Sequence, residues 1–277
     1  MATTNPGANQ AERKRWNDPL WSEFWPKRER FTETVTPLLL RALELKPGER
    51  VLDIGCGGGP ATSAAATAVG GAGRAVGADI STPLVELARS RAAAAGLKNV
   101  SFQIKDAQQD RIDGAPFDVA MSQFGVMFFD EPKTAFTNIR GHLVPGGRLA
   151  FACWQATAKN PWFVGPALKE FVPPPPQPAP GKSPTGPFAF ADTDYVRGIL
   201  QSAGFADIAV ALHDYPVEAP ENAIMDDAQL VFLGVPPEKM PQARAAVDKH
   251  MTRFRLPSGL CRYPLAVQIV TARNPES

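Results

Sequence analysis

Three glycines at alternating positions, Gly55, Gly57 and Gly59, follow the short apolar run Arg50-Val51-Leu52-Asp53-Ile54 and precede an Ala/Thr/Ser-rich stretch over 61–69. Without a Cβ the backbone can turn sharply there, and a ligand can approach the main chain closely. The loop lacks the Gly-Lys-Ser/Thr ending of a triphosphate cradle, and Pro60 stands where a Gly-x-Gly-x-x-Gly loop has its last glycine. Asp79 closes the next apolar run 24 residues beyond Gly55. A carboxylate at that place accepts from the two hydroxyls of a ribose and repels a 2′-phosphate; capping the next helix is the competing role. Asp106, after the third run, could accept from an exocyclic amine of the kind an adenine offers, or be a surface loop acid.

A general base is harder to find. The chain has three histidines. His142 falls late in a predicted helix as a C-terminal cap and His250 falls in a charged helix, so both are expected to be solvated. His213 ends a predicted strand over 208–213 and there could face a cleft, local hydrogen bonding being the competing role. No catalytic residue follows from this. Aromatic side chains cluster before and after the pattern: Trp16, Trp21 and Trp25, then Phe124, Phe128 and Phe129, then Trp154 and Trp162. Such a set suits an apolar or aromatic small molecule, with Trp25, Phe128, Trp154, Trp162 and His213 as candidate contacts; packing in the core is the competing role.

The elements that must position these residues alternate. Strands are expected over 50–54, 75–79, 100–104, 117–121 and 148–154, and helices over 61–69, 83–95 and 132–143. Apolar strands separated by helices indicate an α/β fold with a doubly wound, mostly parallel sheet. Two short helices are expected over 18–45, split near Thr36-Pro37. Residues up to about 10 read as a loose tail. The segment 155–190, with Pro173-Pro174-Pro175-Pro176, is expected to hold neither helix nor strand and, with the N-terminal helices, to form a lid. A helix over 194–203, a strand over 208–213, helical stretches within 221–234 and 238–254 and a strand over 265–272 complete the sheet. The organisation expected is therefore a tail with cap helices over 1–45 and one domain over 46–277, with a lid insertion at 155–190 and a helical insertion at 219–258.

Composition excludes other classes. The 277 residues carry 29 basic and 28 acidic side chains, a net charge of +1, so no overall field draws the chain to nucleic acid. No segment has the run of about 18 apolar residues that spans a bilayer, so no transmembrane segment is expected. Three dispersed cysteines, Cys56, Cys153 and Cys261, suggest neither a disulfide framework nor a metal site, and fit a reducing, cytoplasmic setting. Residues 12–30 hold six basic and four acidic side chains, which reads as a solvated helix face rather than a lipid-binding one.

Four motifs together resemble the class I S-adenosylmethionine-dependent methyltransferases: Val51-Leu52-Asp53-Ile54-Gly55-Cys56-Gly57-Gly58-Gly59, Gly77-Ala78-Asp79-Ile80-Ser81, Phe117-Asp118-Val119-Ala120-Met121-Ser122 and Leu143-Val144-Pro145-Gly146-Gly147-Arg148-Leu149. The subgroup they resemble most is the small-molecule type that includes ubiquinone- and menaquinone-biosynthesis enzymes, and the likeness covers roughly residues 35–155. It implies S-adenosyl-L-methionine as cofactor. Asp53, Gly55, Cys56 and Gly57 would hold its methionine end, Asp79 its ribose, and Ile80, Asp106 and Ala107 its adenine. Gln123 would pass beside the reacting sulfur. The implied activity is methyl transfer to an oxygen, nitrogen or carbon of a small, mostly apolar or aromatic acceptor. A nicotinamide-dependent oxidoreductase and a non-catalytic binding protein on the same fold are the alternatives.

Overall fold

The computed structural model describes residues 8–173 and 185–276, except the side chain of Ser22. Seven strands form one sheet: β1 (Arg50–Ile54), β2 (Arg74–Asp79), β3 (Val100–Ile104), β4 (Phe117–Gln123), β5 (Leu143–Trp154), β6 (Ala206–Ala219) and β7 (Cys261–Arg273). Their order is β3-β2-β1-β4-β5-β7-β6. The pairs among β1 to β5 are parallel, while β7 runs antiparallel to both β5 and β6. The chain steps from β1 outward to β3 and then returns to β4 on the other side of β1. In open α/β sheets, ligands gather outside the carboxyl ends of the strands at such a reversal.

The described residues form ten α-helices: α1 (Gln10–Trp16), α2 (Pro19–Thr32), α3 (Thr36–Leu43), α4 (Pro60–Val69), α5 (Thr82–Ala94), α6 (Pro132–Gly141), α7 (Gly165–Leu168), α8 (Thr193–Ser202), α9 (Asp227–Phe232) and α10 (Met240–Met251). Local chemistry sets several starts. Pro60 and Pro83 occupy first-turn positions, where a missing N–H costs nothing, and the side chains of Ser81 and Asp192 accept from the backbone N–H groups of Leu84 and of Asp194 and Tyr195. One face of the sheet buries Val51, Ala75, Val119, Met121 and Ala150 against Leu39 and Leu43 of α3 and Ala61, Ala65, Ala66 and Val69 of α4. The other buries Leu52, Ile54, Ala120, Leu149 and Phe151 with Phe136 and Ile139 of α6 and Val196 and Leu200 of α8. Buried apolar runs on both faces account for strands that are continuously hydrophobic rather than alternating.

The α/β class, the parallel core and each expected strand and main helix are present. Three expectations need correction. The supposed tail is already packed at its end, with Ala8 and Asn9 buried and α1 beginning at Gln10; residues 1–7 lie outside the described residues. The segment 155–190 does hold a helical turn, α7, and its described residues Trp162, Val164, Leu168 and Phe190 are part of the core; 174–184, with most of the proline run, lie outside the described residues. Both β6 and β7 extend well beyond the predicted spans, as a long antiparallel hairpin-like pair closing one edge.

Candidate active site

The glycine loop leaves β1 with Gly55, Gly57 and Gly59 at φ of +66°, +53° and +82°, a region that side chains with a Cβ enter at a cost. Space is also spoken for. A Cβ on Gly55 would stand 2.8 Å from Gly125 Cα, and one on Gly57 3.0 Å from Trp25 Nε1. Cys56 turns its side chain the other way, into a small apolar cluster with Val85, Ala88 and Phe102, where burial pushes its thiol well above the ordinary range. It therefore offers the loop only its backbone.

Asp79, at the end of β2, accepts from Gly57 N–H and Ser81 N–H, both at 2.8 Å, so two main-chain donors orient the carboxylate at the rim of a cleft. Burial raises its pKa against these hydrogen bonds. Asp53 lies on β1 at 1% exposure; its Oδ2 accepts from the Thr62 hydroxyl at 2.6 Å, and its Oδ1 is buried with no hydrogen-bond partner. Desolvation pushes Asp53 up to about 7, opposed by the Thr62 hydrogen bond and helped by the nearby Asp79 charge. Asp106 follows β3. Its Oδ1 accepts from the Asn9 side-chain amide at 2.8 Å and from Gln108 N–H at 3.0 Å, and Arg13 lies 3.8 Å from its Oδ2.

Two adjoining clefts join these groups. The first is lined by Asp79, Ile80, Asp106 and Ala107 together with Trp16 and Phe128. The second is lined by Asp53, Cys56, Glu29 and Arg91. Trp25, Gly55, Gln123 and Phe124 line both. Gln123 is fixed from two sides, its Oε1 accepting from the Thr36 hydroxyl at 2.8 Å and its Nε2 donating to Thr32 O at 3.2 Å. The junction of α2 and α3 is thereby tied to the end of β4. All of the expected cofactor-binding residues thus line one pair of clefts at the carboxyl ends of β1, β2 and β4 and just past β3.

Of the candidate substrate contacts, Trp25 and Phe128 line the first cleft. Trp154 and Trp162 do not. Trp154 is buried and stacked on Phe124 with ring centroids 4.2 Å apart, and Trp162 is 1% exposed with its Nε1 donating to Asn160 Oδ1. Burial of so large an apolar area in the core outweighs exposure to a cleft. His213 sits in the middle of the edge strand β6, paired with Val267, and lines neither cleft. His142 is buried rather than solvated: its Nε2 accepts from Ile112 N–H at 2.9 Å and its Nδ1 lies 2.7 Å from Asn138 O. One nitrogen accepting and the other donating is the pattern of a neutral imidazole with both needs met. His250 is half-buried against Pro161 O, and burial lowers its pKa.

Sequence reasoning missed Asn9, Glu12, Glu29 and Arg91. Arg91 Nη1 lies 2.6 Å from Glu29 Oε2 and also donates to Gly58 O, closing the second cleft across the glycine loop. Asn9, Glu29 and Arg91 acquire their places through partners far away in the chain, which no local pattern marks, while Glu12 is held within its own helix by Trp16 and Arg15.

Residues 51–147 match the family model described as a methyltransferase domain. The chain is 36% identical over 144 residues to aklanonic acid methyltransferase DauC of Streptomyces sp. (strain C5), covering 51% of this chain and 66% of that protein. It is 28% identical over 201 residues to nocamycin O-methyltransferase of Saccharothrix syringae, covering 69% and 71%. Among solved structures, the YcgJ protein from Bacillus subtilis superimposes with a TM-score of 0.59 at 18% identity, over 88% of this chain and 100% of that one.

Proposed function

Since the chain belongs to the class I S-adenosylmethionine-dependent methyltransferases, with S-adenosylmethionine as cofactor, we propose that it methylates an oxygen, nitrogen or carbon of a small, mostly apolar or aromatic acceptor. One observation carries the site assignment: the acids Asp53, Asp79 and Asp106, from three adjacent strands, line adjoining clefts that meet at the glycine loop. The fit is specific in two places. Asp53 Oδ1 is a buried acceptor without a partner, which suits the ammonium of an amino acid. Asp79 is held by two backbone donors and lines the first cleft, which suits a carboxylate accepting from two ribose hydroxyls. Gly55, Gly57 and the Cys56 backbone would flank the methionine end, and Ile80, Asp106 and Ala107 the adenine. Gln123, pinned between α2 and α3, would border the reacting sulfur.

When bound, the cofactor supplies a methyl group on a positively charged sulfur, already activated for in-line displacement. The protein's own work is then alignment and exclusion of water. Trp16, Trp25, Phe124, Phe128 and Phe129 give the first cleft an apolar wall for that purpose. Since no histidine is among the residues lining either cleft, catalysis by proximity is the favoured mode. The named relatives act on aklanonic acid and as a nocamycin O-methyltransferase, which supports a small-molecule acceptor and, among the three atoms, oxygen. We assign 1–45 as the capping segment and 46–277 as the methyltransferase domain. The helical insertion adds to the roof, because α9 packs on α2 and Asp226 accepts from Lys27 Nζ at 2.7 Å. Three free, buried cysteines and a net charge of +1 support a cytoplasmic protein without nucleic-acid partners. No helix among the described residues is long and apolar enough to cross a membrane.

Isothermal titration with S-adenosylmethionine, S-adenosylhomocysteine and NAD tests the reading. Micromolar or tighter binding of the first two and none of NAD is expected. Binding of NAD alone would move the chain to the oxidoreductases, and turnover of a phenol or quinol acceptor would exclude the non-catalytic alternative.

A further inference from the structure

Three buried polar atoms of residues that line the second cleft have no hydrogen-bond partner among the described residues: Asp53 Oδ1, Glu29 Oε1 and Trp25 Nε1. Trp25 and Glu29 stand four residues apart on α2, so they share one face of that helix, and that face lies on the glycine loop. A Cβ on Gly57 would come within 3.0 Å of Trp25 Nε1, and one on Gly58 would collide with both Glu29 Oε1 and Arg91 Nη1. Arg91, in the last turn of α5, uses only Nη1 inside the protein, on Glu29 Oε2 and Gly58 O; its Nε and Nη2 have no partner among the described residues. The other charged residues on this cleft, Arg30 and Glu33, are exposed.

Unmatched acceptors and unmatched donors along one cleft restrict what it can hold, because a buried polar group left unpaired is costly. A neutral apolar molecule would leave all of them unpaired. An anion alone would meet two carboxylates, and a cation alone a guanidinium. An α-amino acid satisfies both sets: its ammonium carries donors for Asp53 and Glu29, and its carboxylate accepts from a guanidinium and an indole N–H. We propose that Glu29, Arg91 and the Trp25 N–H complete, with Asp53, a zwitterion site, in which the two acids take the α-ammonium of the cofactor's methionine end and the guanidinium and indole take its α-carboxylate. The inference rests on the cofactor reading above and names the residues that select the amino-acid end. Glu29 and Trp25 belong to the capping segment, so that segment discriminates between ligands as well as covering them.

The probes are three thioethers that share the adenosine: S-adenosylhomocysteine, its decarboxylated form 5′-S-(3-aminopropyl)-5′-thioadenosine, and 5′-methylthioadenosine, each titrated calorimetrically into the full chain at one pH. The wild type should bind the first about ten-fold more tightly than the amine, and the amine about ten-fold more tightly than methylthioadenosine. Arg91→Gln should lose about ten-fold on S-adenosylhomocysteine and less than about two-fold on the other two. Glu29→Gln should weaken both ligands that carry an ammonium and leave methylthioadenosine unchanged, and Trp25→Phe, which keeps a ring and removes the N–H, should weaken only the ligand with a carboxylate. Equal losses on all three ligands would mean that the Glu29–Arg91 pair merely holds α2 to α5, and would overturn the proposal. Should Arg91→Gln fail to fold, Arg91→Lys takes its place, since it keeps the charge beside Glu29 and removes the fork: a loss confined to S-adenosylhomocysteine supports the carboxylate contact, and three unchanged affinities overturn it. A wild type that binds methylthioadenosine as tightly as S-adenosylhomocysteine would overturn this inference alone, whereas failure of all three to bind would overturn the cofactor assignment with it.

Discussion

Asp53 is the side chain whose charge is most finely balanced. Its carboxyl holds a proton up to about pH 7 in the folded chain against 3.8 ordinarily, so between those values the folded state binds more protons than the unfolded one. Stability of the free protein should therefore fall as pH rises from about 4 to 7. Ligand binding runs the other way: a cation placed against Asp53 favours its ionised form. We expect cofactor affinity to rise about ten-fold from pH 6 to pH 8, with proton release on binding, and Asp53→Asn to flatten that slope. Calorimetry in two buffers of different ionisation enthalpy reads both quantities, and a pH-independent affinity in the wild type would count against the contact. Asp79→Ala should weaken cofactor binding by about 1–3 kcal/mol through lost charge-assisted hydrogen bonds, and unchanged affinity would refute the ribose role. Gly57→Val should abolish binding. It should also lower stability, since the position has φ +53° and its Cβ would press on Trp25.

At the level of elements, the N-terminal strap is the unexpected part. Asn9 donates its backbone N–H to Asp130 Oδ2 at 2.8 Å and receives Asp130 N–H on its side-chain oxygen at 2.9 Å. A turn of chain later Ser81 Oγ donates to Trp16 O, and the Asn17 side chain bridges Ile80 O and Thr82 N–H. These polar contacts, with Trp16 set edge-on against Trp21, Trp25 and Phe128 at 5.2 Å, clamp the strap across the first cleft. Its Asn9 amide also holds the Asp106 oxygen that the adenine assignment needs. Asp130→Ala should thus speed cofactor dissociation several-fold in stopped-flow measurements while shifting stability by less than about 1 kcal/mol. An unchanged off-rate would mean that the strap is a fixed part of the wall. Nothing local in 1–17 announced this, because Asn9 is ordered by acids 97 and 121 residues away. The strands, in contrast, were legible because each is an apolar run with a glycine or proline shortly before it (Gly48, Gly73, Gly96, Pro116, Gly147, Gly204 and Pro264), a signal that needs no distant partner.

For the whole molecule, the sheet order was within reach of the sequence only as a class. The alternation of apolar strands and helices points to a doubly wound sheet, but the length of the β6–β7 pair and the burial of Trp162, Val164, Leu168 and Phe190 depend on packing between elements. Trp162 shows the difficulty: an aromatic residue in an irregular, proline-rich stretch reads equally as lid or core. The core role predicts that Trp162→Ala costs about 3–5 kcal/mol in denaturant unfolding, with Trp25→Ala costing clearly less but weakening cofactor binding. Equal stability losses would show that both indoles serve the core. His142 was misjudged for the same kind of reason, since its burial depends on Ile112, 30 residues earlier.

The glycine loop and the turn after β4 touch through their backbones. A Cβ on Gly55 would meet Gly125 Cα at 2.8 Å, and one on Gly125 would meet Gly55 Cα at 2.9 Å and Ile54 O at 2.7 Å. Neither loop has room of its own; each is shaped by the other. Anyone recasting this protein for a new acceptor by grafting the 122–129 loop from a relative would have to treat 55 and 125 as a single heritable unit, because a donor loop with any side chain at 125 would displace the glycine loop before it met a substrate.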